Sequence, residues 1–247
     1  MTSQPLAGRT AVVTGAGGGI GSSVVRRLIA DGAIVGALDR DGAALDRLAD
    51  EVGTGVHLIV VDLRDPDATA AALAIFARAA GRVTILVNNA GIAGEGAFLD
   101  VDDAAWSDMM AVHVGGTVAC TRAVLPGMLE AGDGRIVTIL SDGVWHGRTT
   151  VPYTTAKGAL LGFTRSLATE VAGRGVLVNA VAPGPVATPM LLGGSPDELA
   201  AELATVPLGR FLAPDEIAST VSFLCGPGGV VYVGQVLGPN GGTVLAG

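Results

Sequence analysis

The chain has 247 residues, of which 49% are hydrophobic and 15% charged, and its formal net charge is −8. That length suits one α/β domain better than two. The apolar content, carried by Ala, Val, Leu and Gly with only 4% aromatics, argues against disorder. No basic stretch could neutralise a phosphate backbone, no apolar run reaches a membrane span, and the acidic balance disfavours an anionic membrane surface. Neither nucleic acid nor membrane is therefore an expected partner.

Met1-Thr2-Ser3-Gln4-Pro5 lacks the basic-then-apolar pattern of a signal peptide. Cys120 and Cys225 form no CxxC pair and read as buried free thiols, which suits a reducing, cytoplasmic location. No metal-ligand set is visible. Of the 15 basic side chains only one, Lys157, is a lysine. It marks a place where a guanidinium would not replace an ammonium, or it is chance.

In chain order, an apolar run at Thr10–Thr14 leads into Thr14-Gly15-Ala16-Gly17-Gly18-Gly19-Ile20-Gly21 and a helical pattern over Ile20–Asp31. A glycine-rich turn between strand and helix lets backbone approach a pyrophosphate at the helix N-terminus. The next strand, Ala33–Leu38, ends at Asp39, placed to accept hydrogen bonds from an adenosine ribose. Asp39 would repel a 2′-phosphate and so favours NAD; Arg40 beside it favours NADP. A helix over Asp41–Val52 precedes a strand at Val56–Val61 and Asp62, a candidate for the adenine edge. A helix over Pro66–Ala80 then leads to a strand at Val83–Val87, followed by Asn88-Asn89-Ala90-Gly91, whose amides can satisfy nearby backbone groups around a ligand.

A long helical pattern covers Ala104–Glu130, and a strand over Arg135–Leu140 ends at Ser141. In the helical segment Tyr153–Ala172, Tyr153 and Lys157 are four residues apart and share one face. A strand at Val176–Val181 precedes Pro183–Pro214, which breaks the rhythm and holds one weak helix, Asp197–Ala204. This stretch reads as a binding loop or lid. A helix over Pro214–Leu224 and a short strand near Gln235–Leu237 complete the pattern. Continuous Val/Ile/Leu strands alternating with helices indicate a parallel sheet covered on both faces.

Ser141, Tyr153 and Lys157 make a coherent chemical set. Hydride transfer between a carbinol carbon and nicotinamide needs a proton acceptor at oxygen. A tyrosine of pKa about 10 becomes one when a nearby ammonium and a cationic ring favour phenolate. A serine hydroxyl can hydrogen-bond the same oxygen.

With these motifs the chain resembles the short-chain dehydrogenase/reductase family over essentially its full length. The resemblance rests on Thr14–Gly21, Asn88–Gly91, Ser141, Tyr153-Thr154-Thr155-Ala156-Lys157, Asn179-Ala180-Val181-Ala182-Pro183-Gly184, Thr188, Gly234-Gln235 and Gly241-Gly242. It implies an α/β, three-layer Rossmann-like fold with a seven-stranded parallel sheet, one domain over 1–247 and a mobile substrate loop at about 185–213. It implies NAD(P)-dependent interconversion of a secondary alcohol and a ketone, with Tyr153 as acid/base. Lys157 would lower the Tyr153 pKa and hold the nicotinamide ribose, and Ser141 would polarise the substrate oxygen. The full cofactor set becomes Gly15, Gly17, Gly18, Gly19, Ile20, Gly21, Asp39, Arg40, Asp62, Leu63, Asn89, Ala90, Gly91, Val112, Tyr153, Lys157, Pro183, Gly184, Val186 and Thr188. Homotetramers or homodimers are implied.

There are two departures. The family's catalytic asparagine position reads as His113, which either relays protons or is a tolerated buried histidine. His113 is the one feature in favour of a nucleotide-binding sensor that has lost turnover, and the intact Ser141, Tyr153 and Lys157 speak against that alternative. The Ser141–Tyr153 spacing is twelve residues, where one longer is common in the family. In this shortened loop Trp145 and His146 are candidate substrate contacts, although Trp145 could pack at a subunit interface. Ala93, Met190 and Leu191 complete the candidate substrate set. Their apolar character, with Arg148 as the only nearby arginine, predicts a small, uncharged, moderately hydrophobic alcohol or ketone.

Overall fold

The computed structural model describes residues 4–94 and 96–245; the first three residues of the stretch read for a leader lie outside them. Its elements in chain order are β1 (Thr10–Thr14), α1 (Gly19–Ala30), β2 (Ile34–Asp39), α2 (Gly42–Val52), β3 (Val56–Val60), α3 (Pro66–Ala80) and β4 (Ile85–Asn88). Then come α4 (Asp103–Met110), a π-helical turn (Ala111–Gly115), α5 (Gly116–Ala131), β5 (Gly134–Ile139), α6 (Gly143–His146) and α7 (Val151–Val171). The last are β6 (Val176–Val181), α8 (Pro189–Leu192), α9 (Pro196–Leu203), α10 (Pro214–Cys225) and β7 (Val236–Leu237).

The strands form one seven-stranded sheet in the order β3-β2-β1-β4-β5-β6-β7. Every pairing is parallel. The order reverses between β1 and β4, and in such a sheet the crevice beyond the strand carboxyl ends at that point receives the ligand. The expected seven strands and α/β layering are present.

Sequence accounts for most of these elements. All five residues of β1 and all four of β4 are buried, as continuous apolar strands require. Asp41, Asp65 and Asp102 cap α2, α3 and α4, each accepting a backbone N–H three residues on at 2.7–3.0 Å. Pro66 and Pro214 occupy first helical turns. On one face of the sheet, Val24, Val25 and Leu28 of α1, Leu45 and Leu48 of α2 and Ile217 and Val221 of α10 share a core. On the other, Leu73 and Phe76 of α3, Val124 and Met128 of α5 and Ala168 and Val171 of α7 share a second. Both cysteines are buried and free.

Several elements differ from the sequence pattern. The single helix expected over Ala104–Glu130 is divided by the π-helical turn. The edge strand β3 is not buried on both faces, since His57, Leu58 and Val60 are exposed. The short helices α6 and α8 have no counterpart in the sequence pattern, whereas the weak helix in the irregular stretch is present as α9. The stretch is closed at its base by a bridge between Val186 and Leu212.

Candidate active site

At the β1/β4 reversal lies a cavity of about 780 Å³. One end is built by the glycine turn. Gly15 has φ +64°, and a Cβ there would stand 2.8 Å from the Ala90 Cα. A Cβ on Gly21 would stand 2.0 Å from the Gly15 carbonyl oxygen, so any side chain would break the turn. Thr14 and Asn89 lock the turn to β4. The Asn89 side-chain amide donates to the Thr14 and Gly15 carbonyls at 2.9 and 3.1 Å, and the backbone N–H groups of Asn89 and Ala90 both donate to Thr14 Oγ1 at 3.0 Å. Asn89 meets the expectation that these asparagines satisfy backbone groups; Asn88 does not, since its amide donates to the Thr121 hydroxyl at 3.4 Å and its Oδ1 is buried without a partner. Helix α1 has no side-chain cap and no acid in its first turn, which leaves its N-terminal N–H groups and dipole to an anion.

Asp39 Oδ2 accepts the Gly17 N–H at 2.9 Å and Oδ1 accepts the Asp41 N–H at 3.1 Å. Each oxygen keeps acceptor capacity for a ligand. Asp62 is more committed. Arg64 binds it at 2.6 Å and holds its carboxyl below the usual range. Gly17, Gly18, Gly19, Ile20, Arg40, Leu63, Gly91, Val112, Pro183, Gly184, Val186 and Thr188 line the same cavity, so all the sequence-predicted cofactor residues converge. A dinucleotide fits on three counts: a cradle that no Cβ could enter, an uncapped helix start and a free-edged carboxylate at Asp39.

At the other end stand Ser141, Tyr153 and Lys157. Ser141 follows β5, and its Oγ accepts the Gly143 N–H at 3.1 Å. Tyr153 and Lys157 lie one turn apart on α7, with Lys157 Nζ 5.6 Å from the phenol ring centre. Lys157 is buried and donates to the Ile139 carbonyl at 2.7 Å. Burial pushes its pKa down to about 7. Burial pushes the Tyr153 phenol up, the Ser141 hydroxyl pulls it down, and the Asp142 carboxylate adds a smaller upward push.

His113 is 1% exposed and sits in the π-helical turn, a distortion common at functional sites. Its Nε2 lies 3.0 Å from both the N–H and the carbonyl of Ile92, its ring meets the Tyr153 ring edge-on at 5.5 Å, and its Nδ1 is buried without a partner. Burial, then the Lys157 charge, push its pKa down to about 4. The ring is therefore neutral at pH 7, which weighs against a relay through imidazolium.

Of the substrate candidates, Ala93, His146, Met190 and Leu191 line the cavity and Trp145 does not; its side chain is exposed outside the wall. Sequence reading misses Asp142, Thr149, Thr150 and Glu202 as lining residues, and gives Arg148 no place in the wall. Asp142 carries a weak signal, an acid directly after Ser141. Its buried carboxylate accepts from the Thr243 hydroxyl and faces His146 Nε2 at 3.3 Å. Thr243 belongs to a strap after β7 that also ties Gly184 to the Pro239 carbonyl and Leu208 to the Gly241 carbonyl.

The sequence pattern of the short chain dehydrogenase family matches residues 9–198. The chain belongs to that family. This short-chain dehydrogenase is 43% identical over 246 residues to galactitol 2-dehydrogenase (L-tagatose-forming) of Cereibacter sphaeroides, covering 97% of this chain and 96% of that protein. It is 38% identical to a 3-oxoacyl-acyl-carrier-protein reductase of Vibrio harveyi, covering 97% and 99%. Among solved structures it superposes on a 3-ketoacyl-acyl-carrier-protein reductase of Brucella melitensis complexed with NADH, with a TM-score of 0.91, 31% identity and coverage of 96% and 99%. It superposes equally on a protein of Beutenbergia cavernae described as an NAD(P)-dependent gluconate 5-dehydrogenase with bound NADP, with a TM-score of 0.92, 37% identity and coverage of 98% and 99%. Like these relatives, this short-chain dehydrogenase is an oxidoreductase of CH–OH and keto groups. No helix of the described residues is long and apolar enough to cross a membrane.

Proposed function

We propose that the protein is an NAD-dependent dehydrogenase that interconverts a neutral secondary alcohol and its ketone. The observation that carries this reading is the convergence of Ser141, Tyr153 and Lys157 on one cavity whose far end holds the glycine turn and Asp39. When bound, the oxidised nicotinamide supplies the hydride acceptor and a positive charge beside the phenol. Tyr153 takes the alcohol proton at its phenolate oxygen and returns it in the reverse direction. Ser141 donates a hydrogen bond to the reacting oxygen and steadies its developing charge. Burial opposes phenolate, and the Ser141 hydroxyl counters it. In its protonated form Lys157, 5.6 Å from the ring centre and held by the Ile139 carbonyl, adds a positive charge that favours phenolate further. His113 positions the loop at Ile92 and supports the Tyr153 ring as a neutral group.

Asp39 supports NAD, because its carboxylate would face a 2′-phosphate across a short distance. Arg40, which lines the same cavity, supports NADP as the second reading. The similarity to galactitol 2-dehydrogenase supports a neutral carbinol substrate. A homo-oligomer in the cytoplasm is the setting that this family membership favours.

Absorbance of NADH, followed with NAD⁺ or NADP⁺ over a panel of secondary alcohols and ketones, tests the reading. Turnover that depends on Tyr153 supports it. Tight NADH binding with no turnover over the panel would favour a nucleotide-binding sensor.

A further inference from the structure

Besides the cofactor candidates, and besides Asp142, which Thr243 and His146 engage, the cavity wall carries two charged side chains that the reaction at Tyr153 does not use. Arg148 comes from the loop between α6 and α7, and Glu202 comes from α9 in the stretch between Val186 and Leu212. Both line the cavity and both are exposed. The ion pairs of the described residues join other partners, so neither has one there. Thr150 Oγ1, in the same wall, is buried without a hydrogen-bond partner.

The loop that carries Arg148 is fixed. His146 Nδ1 accepts the Arg148 backbone N–H at 3.0 Å, and its Nε2 faces the Asp142 carboxylate at 3.3 Å. Both ring nitrogens are therefore committed to the protein. Thr149 and Thr154 pair through their hydroxyls. His146 is thus a positioning residue, and the unpartnered guanidinium of Arg148 is the group left to face a ligand.

We propose that Arg148 and Glu202 determine specificity by binding hydroxyl groups beyond the reacting carbon of a neutral, polyhydroxylated substrate. This rests on the reading of Tyr153 as the acid/base of that same cavity. Outside the cofactor candidates, the wall of one cavity thus offers one cation and one anion without an ion-pair partner. An anionic substrate that gains at Arg148 loses to the charge of Glu202 in the same cavity, and a cationic one the reverse. A hydroxyl both donates and accepts, so it satisfies either. A substrate with a single hydroxyl leaves both charges to water, so the two groups favour a polyol by the hydrogen bonds that its further hydroxyls gain. The wall at Ala93, Met190 and Leu191 takes the C–H face of such a chain. The moderately hydrophobic substrate expected from sequence gives way to a polar, uncharged one.

The test compares kcat/KM for galactitol, cyclohexanol and galactonate with NAD⁺ in the wild type, Arg148→Leu and Glu202→Leu. Both residues are exposed, and unchanged melting temperatures check that the variants fold. The wild type should prefer galactitol. Each variant should lower the galactitol-to-cyclohexanol ratio about tenfold to a hundredfold, mainly through KM, as the loss of a hydrogen bond to a charged group implies. An unchanged ratio overturns the proposal. So does a wild type that oxidises cyclohexanol but not galactitol, although the reaction reading would then stand. A preference for galactonate that Arg148→Leu alone abolishes would mark an anion site and overturn it as well. An enzyme that binds NADH yet oxidises none of the three removes the reaction reading and this inference together.

Discussion

The ammonium of Lys157 lies 5.6 Å from the centre of the Tyr153 ring and is anchored 2.7 Å from the Ile139 carbonyl, in buried surroundings. A lysine so placed is costly to the fold. Its pKa is pushed from 10.5 down to about 7, so between these values the unfolded chain holds a proton that the folded chain lacks. Stability from this residue therefore rises with pH from about 7 and is fully present only above the unfolded value. Lys157→Met should abolish turnover yet raise the melting temperature near pH 6.5, by roughly 2–4 °C for each kcal/mol relieved. The gain should shrink as pH rises toward 10, and differential scanning calorimetry across that range checks both sign and trend.

Tyr153→Phe keeps the ring that packs edge-on against His113 and removes only the hydroxyl. Turnover should fall by about 100-fold to 10,000-fold, the usual span for a general acid/base, while the NADH dissociation constant moves only a few-fold. Stopped-flow turnover with parallel NADH fluorescence titration separates the two effects. Retained turnover would refute the assignment.

Asp39 is held by the Gly17 and Asp41 N–H groups, so its carboxylate is already oriented. Asp39→Ser should weaken NADH binding and strengthen NADPH binding, changing the ratio of the two dissociation constants by about tenfold or more, the equivalent of one charged hydrogen bond. A ratio that stays put would shift discrimination to Arg40.

His113 links acid stability to the site. Burial holds its pKa at about 4, below the unfolded 6.5, so the unfolded chain binds the extra proton in that interval. Stability should fall on acidification from about pH 6.5 to 4, with His113 contributing about 3 kcal/mol of the loss. His113→Asn should flatten that part of the urea-unfolding profile and leave the shape of the activity–pH curve between pH 6 and 9 unchanged. A curve that changes shape would restore the relay reading.

The parts of this protein legible in its sequence are the local ones. Thr10–Thr14, the glycine turn and Asn88–Gly91 are contiguous, and each carries its own physical reason for strand, turn or clamp. Tyr153 and Lys157 are joined by helical spacing alone. The π-helical turn at Ala111–Gly115 is invisible in sequence, because it has the same apolar spacing as the helices that flank it. Trp145 reads as a substrate contact because its loop is short, but the direction of a side chain on a one-turn helix depends on what packs behind it. Arg148 and Glu202 are 54 positions apart. They line one cavity only through the path of an irregular stretch, and no periodicity encodes that. The link between Asp142 and Thr243 spans 101 residues and is equally out of reach.

That last link has a consequence for how the enzyme comes into being on the ribosome. The strand that leads to Ser141 and the helix that bears Tyr153 emerge well before the strap at Pro239–Val244, which grips Asp142, Gly184 and Leu208 at once. Until that strap leaves the exit tunnel, Asp142 lacks its Thr243 partner and the loop at Leu208 lacks its tether. A nascent chain can lay down most of its sheet while its active site is still unfinished, and acquires a competent one only once the strap has emerged.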